Sequence, residues 1–274
     1  MRRKNVQKDI PFLYRYRRNS EEMENLIAEN KLYFYPPTAL NDPFDSKLRF
    51  SYNDCKEEDF RIINEMICRR RMPNSSEEEI QQEVERPRSN YMDPKWQYEF
   101  REFSKDLLQS SIDKIGLLSL TKKCDDILMW SHYADGHKGL CLEFSKQVID
   151  ANYYCGKVTY SNDYLSFKEF NKAMDATHED NYIVMGECLL FRKSKHWDYE
   201  CEWRIIYPDR IEPGGNRLLD YPPQMLTGII FGCEMSEDDK KTIREMIRKR
   251  THKTRLFQAR KKDDEFALDI IEID

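Results

Sequence analysis

The stretch Asp198-Tyr-Glu-Cys-Glu-Trp-Arg-Ile-Ile-Tyr207 joins two acidic residues to an aromatic and β-branched run. The composition of its second half, Trp203 to Tyr207, predicts a strand. Because side chains alternate along a strand, we expect Glu200 and Glu202 to share one face. Two carboxylates this close repel each other, which raises the pKa of at least one and is typical of a functional site. The alternative is a solvated polar face on an edge strand.

The composition predicts a globular protein with a heavily charged surface. The 274 residues are 39% hydrophobic and 35% charged, and the net charge of -5 gives no general attraction to nucleic acid. Eight cysteines without a Cys-x-x-Cys pair argue against a disulfide framework or a zinc site. With no signal peptide and no apolar run long enough to cross a bilayer, we expect a cytoplasmic protein without membrane association.

Strand and helix patterns follow one another irregularly, which predicts an α+β fold in one domain over residues 1–274. Helices are predicted after Asn19-Ser20, over about 165–192 and from Ser236. A helical pattern with an aromatic stripe predicts an inserted helical block at about 55–114. Besides the opening stretch, strands are predicted at 10–17, 32–35, 116–121, 140–144, 157–160, 226–231, 256–260 and 266–273.

Candidate site residues come from three strand motifs in chain order. They are Arg15 and Arg17 on the first, Ser119 and Thr121 on the second, and Glu200 and Glu202 on the third. The sequence has no Gly-x-Gly-x-x-Gly motif after a strand, no Walker A lysine motif and no Gly-x-Ser-x-Gly motif. These absences argue against Rossmann, P-loop and common serine-hydrolase functions.

In this order the motifs resemble the arginine–serine–glutamate arrangement of the mono-ADP-ribosyltransferase fold. The resemblance implies small mixed or antiparallel sheets of that type and NAD as a substrate, with Arg15 or Arg17 binding the pyrophosphate. It implies that Glu202 is catalytic and stabilises positive charge on the ribose as the nicotinamide bond breaks. Glu200 would orient or deprotonate the acceptor.

The same resemblance assigns supporting residues around the two glutamates. Ser119 would steady the glutamate or the nicotinamide ribose, and Thr121 would support the strand and the cofactor. Tyr133 would stack on nicotinamide, although a core position is an equally good interpretation. The turn-forming loop Asn41-Asp-Pro-Phe-Asp45 could line a site, with Asn41 as a cofactor contact.

At the level of the whole chain, several stretches resemble the bacterial domain-of-unknown-function 2971 family. They are Leu13–Arg17, Asn41–Asp45, Leu118–Gly139, Lys195–Arg204 and Ile229–Gly232. They span residues 12 to about 235 and leave out the helical block at 55–114. The family carries no established activity, so the functional prediction depends on the three motifs.

The favoured hypothesis is an enzyme that cleaves NAD and transfers ADP-ribose to an unknown macromolecular acceptor, as bacterial toxins and phage-defence proteins of this kind do. One alternative is a catalytically inactive module of the same fold that senses a nucleotide or binds a protein. A further alternative is a metal-dependent nuclease that combines Asp42 and Asp45 with the two glutamates. The favoured hypothesis expects no metal, since the spacing of His132 and His137 does not suit one helical face.

Overall fold

A computed structural model describes residues 10–46, 50–51, 56, 59, 61–85, 98, 102, 112–175, 189–207 and 209–273. The chain divides into two compact units, called unit 1 and unit 2 below. Unit 1 comprises Met1–Tyr35, Ile115–Val158 and His196–Asp274. Unit 2 comprises Pro36–Lys114 and Thr159–Lys195.

The secondary structure is a mixture of short strands and helices in the described residues. In chain order the strands are β1 (Phe12–Arg17), β2 (Lys31–Tyr33), β3 (Phe50–Ser51), β4 (Leu117–Thr121), β5 (Leu140–Ser145), β6 (Tyr154–Lys157), β7 (Thr159–Ser161), β8 (Leu165–Ser166), β9 (Arg192–Ser194), β10 (Glu202–Ile206), β11 (Leu218–Asp220), β12 (Leu226–Phe231), β13 (Arg255–Lys261) and β14 (Leu268–Ile273). The α-helices are α1 (Met23–Ile27), α2 (Arg61–Arg71), α3 (Glu77–Glu85), α4 (Ile127–Tyr133), α5 (Lys146–Asn152), α6 (Phe167–Asp175) and α7 (Glu237–Arg248). Short 3-10 helices lie at Pro37–Ala39, Lys195–Glu200 and Pro223–Met225.

Unit 1 is built on a sheet that has eight strands among the described residues, in the order β14-β13-β12-β5-β1-β4-β10-β6. Neighbouring strands are antiparallel, except that β12 and β13 are parallel and are joined through α7. Strand β1 pairs with β5 along its whole length, whereas its pairing with β4 in the described residues is one position, Tyr14 opposite Thr121. This mainly antiparallel sheet with helices confirms the predicted α+β class.

The two faces of this sheet carry two separate apolar clusters. Alternate residues of β5 divide between them, with Leu142 in the larger cluster and Cys141 in the smaller. Buried residues of α1, α5 and α7 belong to the larger cluster. Helix α4 belongs to the smaller one, where the ring of fully buried Trp130 meets that of Tyr16 edge to face, 5.1 Å between centroids. Helix α4 is thereby fixed on the face of the sheet that carries the candidate site.

Arg250 ties several connections of unit 1 together, just beyond the end of α7. Its guanidinium donates hydrogen bonds of 2.6 Å to the carbonyl oxygens of Ile27 and Pro223. It donates a further bond of 2.7 Å to the side-chain oxygen of Asn30. These acceptors satisfy a partly buried charge with backbone and amide groups, so we expect Arg250 to be important for stability.

Unit 2 contains helices α2 and α3, which pack through the buried residues Cys68, Ile80 and Val84. Its strands form two parallel pairs, β3 with β8 and β7 with β9. Helices α2 and α3 confirm helical structure in the first part of the predicted block at 55–114. The rest of the aromatic stripe predicted after Asp93-Pro94 lies outside the described residues, apart from single positions.

Several boundaries differ from the sequence prediction. The strand expected at 157–160 is two strands, because β6 pairs with β10 while β7 pairs with β9. The predicted cap at Asn19-Ser20 is wrong, since α1 begins at Met23 and the side chain of Asn19 donates to Asp239 at 2.8 Å instead. The predicted helix at 165–192 is α6 up to Asp175, and residues 176–188 lie outside the described part.

Other predictions are confirmed closely. Strand β12 has the predicted bounds, and the closing hairpin forms from β13 and β14. The side chain of Ser236 caps α7 by accepting a hydrogen bond from the backbone N–H of Asp239 at 3.2 Å. In the part of the chain that the structure describes, no helix is long and apolar enough to cross a membrane. Six cysteines lie in that part, and no disulfide joins any two of them.

Candidate functional site

Most of the predicted site residues lie close together on adjacent elements of unit 1. Strands β1, β4 and β10 are neighbours in the sheet, and α4 lies on one of its faces. Asn41 lies in unit 2, next to the 3-10 helix Pro37–Ala39. The others are Arg15 and Arg17 on β1, Ser119 and Thr121 on β4, Tyr133 at the end of α4, Glu200 just before β10 and Glu202 as its first residue.

The structure corrects the expected relation between the two glutamates. Glu200 is the last residue of the 3-10 helix Lys195–Glu200, and β10 begins at Glu202. Between them Cys201 has a φ of 46°, in the left-handed region that residues with a side chain rarely adopt. The two carboxylates are therefore not related by strand alternation as expected, because the turn at Cys201 interrupts the extended backbone.

Glu200 is held by both its side chain and its backbone, and it is 4% exposed. The phenol of Tyr133 donates a 2.6 Å hydrogen bond to Glu200 Oε1. The hydroxyl of Thr121 donates a 2.6 Å bond to the Glu200 carbonyl oxygen and accepts one of 3.1 Å from the Lys123 N–H. The Lys123 ammonium also donates to the Tyr199 carbonyl oxygen at 3.0 Å. The end of β4 and the end of α4 therefore fix this acid together.

Glu202 is held by a different partner, Arg204. The guanidinium binds the carboxylate through both oxygens, with Nε 2.7 Å from Oε1 and Nη2 3.0 Å from Oε2. The two residues are two apart on β10, so they share one face of the sheet. Glu202 is 3% exposed and Arg204 is fully buried. Sequence reasoning missed Arg204, although the Glu-x-Arg spacing on a predicted strand was a usable signal.

Arg15 connects β1 to β4 beyond the point where the two strands pair. Its Nη1 donates a 2.6 Å hydrogen bond to the Ser119 carbonyl oxygen, and its guanidinium carbon lies 5.9 Å from the centre of the Tyr35 ring. Burial, followed by the charge of Arg17, lowers the pKa of Arg15 to about 9, while Tyr35 and Glu202 act in the opposite direction. Arg15 therefore stays protonated at neutral pH.

Arg17 is less tightly held than Arg15. Its Nη2 pairs at 2.8 Å with Glu22, whose side chain is 70% exposed, and its Nη1 donates a long 3.4 Å bond to the Tyr35 hydroxyl. An ion pair with so exposed a partner contributes little to stability. Arg17 can therefore exchange Glu22 for an anionic ligand at small cost. Tyr35 contacts both arginines and was not among the predicted site residues.

Ser119 occupies a position between the arginine on β1 and the ion pair on β10. In the register of β4 and β10 it lies opposite Arg204, as Thr121 lies opposite Glu202. Paired residues of antiparallel strands point to the same face, so these four positions form one polar patch on the sheet. In the register of β1 with β5, Arg15 and Arg17 lie opposite residues of the larger apolar cluster, so these two arginines belong to the other face of the sheet.

The loop after α4 fixes the position of Tyr133. Asp135, Gly136 and His137 have φ values of 50°, 58° and 69°, three left-handed residues in succession. The carbonyl oxygen of His137 then accepts a 3.1 Å hydrogen bond from the Glu234 N–H, just after Gly232 at the end of β12. A Cβ atom on Gly232 would lie 2.0 Å from that carbonyl oxygen, so only glycine permits this approach.

The acidic residues of the 41–45 loop have partners within unit 2. Asp42 accepts a 2.8 Å hydrogen bond from the Phe44 N–H, as is typical of a turn, and Asp45 lies 3.6 Å from the ammonium of Lys193. Among the described residues, no three His, Cys, Asp or Glu side chains are grouped as ligands for a metal ion.

Comparison with known proteins gives a match to a family model over part of the chain. Residues 129–205 match the model of a family described as "Protein of unknown function (DUF2971)". The matched segment supports the resemblance to that family and contains Tyr133, Glu200, Glu202 and Arg204, whereas Arg15, Arg17, Asn41, Ser119 and Thr121 lie outside it. No curated protein and no solved structure matches the chain.

Proposed function

We propose that this protein is an ADP-ribosyltransferase-like enzyme that cleaves NAD and transfers ADP-ribose to a macromolecular acceptor. The observation that carries the proposal is the order β1-β4-β10, in which the arginine, Ser-x-Thr and glutamate motifs stand on adjacent strands. The 2.6 Å bond from Arg15 to the Ser119 carbonyl oxygen brings the first two motifs into direct contact. The three motifs also occur along the chain in the order of the transferase fold that they resemble, which supports the proposal.

In this proposal the pyrophosphate of NAD binds the two guanidinium groups of β1. Arg17 supplies the more available one, because its present partner Glu22 is exposed. As the bond between nicotinamide and the ribose carbon breaks, positive charge develops on the ribose, and the fixed carboxylate of Glu202 stabilises it. The electron pair of that bond leaves with nicotinamide, and a nucleophile of the acceptor bonds to the same carbon. Glu200, oriented by Tyr133, takes the proton of the acceptor.

In this proposal Tyr133 orients Glu200, instead of stacking on nicotinamide as predicted. Its hydroxyl is engaged with Glu200 at 2.6 Å, so we assign it to the orientation of that acid. Ser119 remains a candidate for the nicotinamide ribose. The proposal extends the setting of related bacterial toxins and phage-defence enzymes to this chain, with a protein or nucleic acid as acceptor.

The decisive experiment follows labelled NAD with purified protein, with and without a cell lysate. Free nicotinamide measures cleavage, and label on macromolecules identifies the acceptor class. We expect Glu202→Gln to reduce nicotinamide release at least about a hundredfold. Glu143→Gln is the matched control, because Glu143 is also buried and paired with an arginine, Arg255 at 2.7 Å, in the same sheet.

The proposal is wrong if the folded wild-type protein releases no nicotinamide in the presence of lysate. It is also wrong if the Glu202 and Glu143 variants retain equal activity. Far-ultraviolet circular dichroism of each variant shows that the fold is retained, so that loss of activity is not mistaken for unfolding.

A second candidate function is an inactive nucleotide-sensing or protein-interaction module of the same fold. The observation in its favour is that both carboxylates are nearly fully buried and already bound, Glu200 by Tyr133 and Glu202 by Arg204. This module would bind NAD without cleaving it. NAD would then raise the melting temperature, because a ligand that binds the native state stabilises it, while nicotinamide release would stay at the buffer level.

A further inference from the structure

Arg204 is a fully buried cation on the same strand face as Glu202. The pair is bidentate, with 2.7 Å between Arg204 Nε and Glu202 Oε1 and 3.0 Å between Nη2 and Oε2. A guanidinium presents its donors in a rigid plane, so two parallel hydrogen bonds fix the orientation of the carboxylate as well as its charge. Arg204 can therefore do more than fill space in the sheet.

A carboxylate at the position of Glu202 needs a cation nearby to remain ionised. Burial disfavours the charged form of an acid, and a paired guanidinium reverses this effect. Each carboxylate oxygen has two lone pairs, and the two bonds from Arg204 use one on each oxygen. A carboxylate can accept further hydrogen bonds besides those from one guanidinium, including a bond from a ribose hydroxyl.

Other polar and charged groups near Glu202 make hydrogen bonds to other partners. Arg15 on β1 acts on Glu202 through its charge, but its own hydrogen bond goes to the Ser119 carbonyl oxygen. On the neighbouring strand β4 the residue opposite Glu202 is the neutral Thr121. Glu200 precedes Glu202 by two residues, and Tyr133 on α4 contacts Glu200. The guanidinium that binds both oxygens of Glu202 is that of Arg204.

We propose that Arg204 is a positioning residue that keeps Glu202 ionised and fixes the plane of its carboxylate for contact with a bound ligand. The ligand contact rests on the function proposed above, whereas the ionisation of Glu202 does not. Arg204 itself donates to Glu202 and takes no part in bond breaking. Its effect is therefore expected in the titration of Glu202 and in the pH dependence of turnover.

The test measures Glu202 directly, by carbon NMR of protein labelled at the glutamate carboxyl, with Glu202→Gln to assign its resonance. We expect Arg204→Met to raise the titration midpoint of Glu202 by more than about 1 pH unit relative to wild type. Arg204→Lys keeps a charge but loses the planar fork, so we expect a smaller upward shift. Arg250→Met is the control, since it removes a partly buried guanidinium elsewhere in unit 1, whose hydrogen bonds go to the carbonyl oxygens of Ile27 and Pro223.

The kinetic counterpart is the pH profile of nicotinamide release. The acidic limb of kcat should move upward with the Glu202 midpoint, and kcat should fall more than KM rises. A Glu202 midpoint that is unmoved in Arg204→Met, or moved equally in Arg250→Met, overturns the proposal. If Arg204→Met does not fold, Arg204→Lys decides in the same way, because an unmoved midpoint there contradicts the role of the fork.

The proposed role of Arg204 and the proposed transferase activity can fail independently of each other. If the wild type releases no nicotinamide, the transferase proposal fails, while an upward shift on loss of Arg204 still supports its control of Glu202. If the wild type is active and the midpoint does not move, the transferase proposal stands and the role of Arg204 fails.

Discussion

Replacing Thr121 with valine tests how the end of β4 holds Glu200. Thr121 is 1% exposed, and its hydroxyl makes two hydrogen bonds, 2.6 Å to the Glu200 carbonyl oxygen and 3.1 Å from the Lys123 N–H. Valine has nearly the same shape and lacks both bonds. Each bond contributes about 1 kcal/mol, and the buried groups left without a partner add to the loss. We therefore expect Thr121→Val to lower the free energy of unfolding by about 2–4 kcal/mol.

Thr121→Ser is the matched control because it keeps the hydroxyl and removes a methyl group. The loss of one buried methyl costs about 0.5–1.5 kcal/mol, so serine should be the more stable variant. The assay is urea unfolding followed by tryptophan fluorescence, since Trp130 and Trp203 are buried in unit 1. The comparison requires equal slopes of free energy against urea concentration. A valine variant as stable as the serine variant would refute the assignment of the hydroxyl bonds as the source of stability.

Thr121 and Tyr133 hold the same residue, so their effects should not be independent. Tyr133→Phe removes the 2.6 Å bond to Glu200 Oε1, and Thr121→Val removes the bond to the Glu200 carbonyl oxygen. Once one bond is lost, Glu200 is freer to move and the other bond is weaker. The double variant should therefore lose less stability than the two single losses added together, by at least about 0.5 kcal/mol. Strict additivity would show that the two contacts act separately.

Four further predictions concern unit 1. Gly232→Ala should cost at least about 3 kcal/mol in thermal or urea unfolding, because the new Cβ would lie 2.0 Å from the His137 carbonyl oxygen. Gly136→Asn, at a φ of 58° with open space around the Cβ, should cost less than about 1 kcal/mol. Arg250→Met should cost about 2–4 kcal/mol, since several partly buried acceptors lose their donor. Burial lowers the pKa of His137, so the unfolded chain binds a proton more readily than the folded protein. The free energy of unfolding should therefore fall as the pH drops below the pKa of an unfolded histidine, about 6.5. Urea midpoints measured across this pH range should lose that part of the fall in His137→Asn.

Local patterns predicted the elements whose boundaries are set by local chemistry. The apolar run of β12 ends at Phe231, and Ser236 then caps α7 with its own hydroxyl. Both features can be recognised from neighbouring residues in the sequence, because neither the apolar run nor the capping serine depends on a distant partner. The same holds for the closing hairpin.

Features that depend on distant partners were not predictable in this way. A strand pattern across 157–160 does not show that Lys157 pairs with Trp203 while Thr159 pairs with Arg192. Likewise, nothing in the residue type of Cys201 indicates a positive φ, so the sequence could not separate Glu200 from the strand. The three site motifs were visible in the sequence, but the partners of the glutamates, Tyr133 and Arg204, follow from how α4 and β10 are placed.

The pairing of β1 has a consequence for how the chain acquires its structure. Arg17 pairs with Leu140, and Tyr14 pairs with Thr121, so β1 is synthesised more than a hundred residues before these partners. Closing such long loops is entropically costly, and proteins dominated by distant pairings fold slowly, typically in milliseconds to seconds. On the ribosome the segment Phe12–Arg17 therefore emerges as an unpaired, aromatic strand, and we expect it to be the part of unit 1 most dependent on protection by chaperones during synthesis.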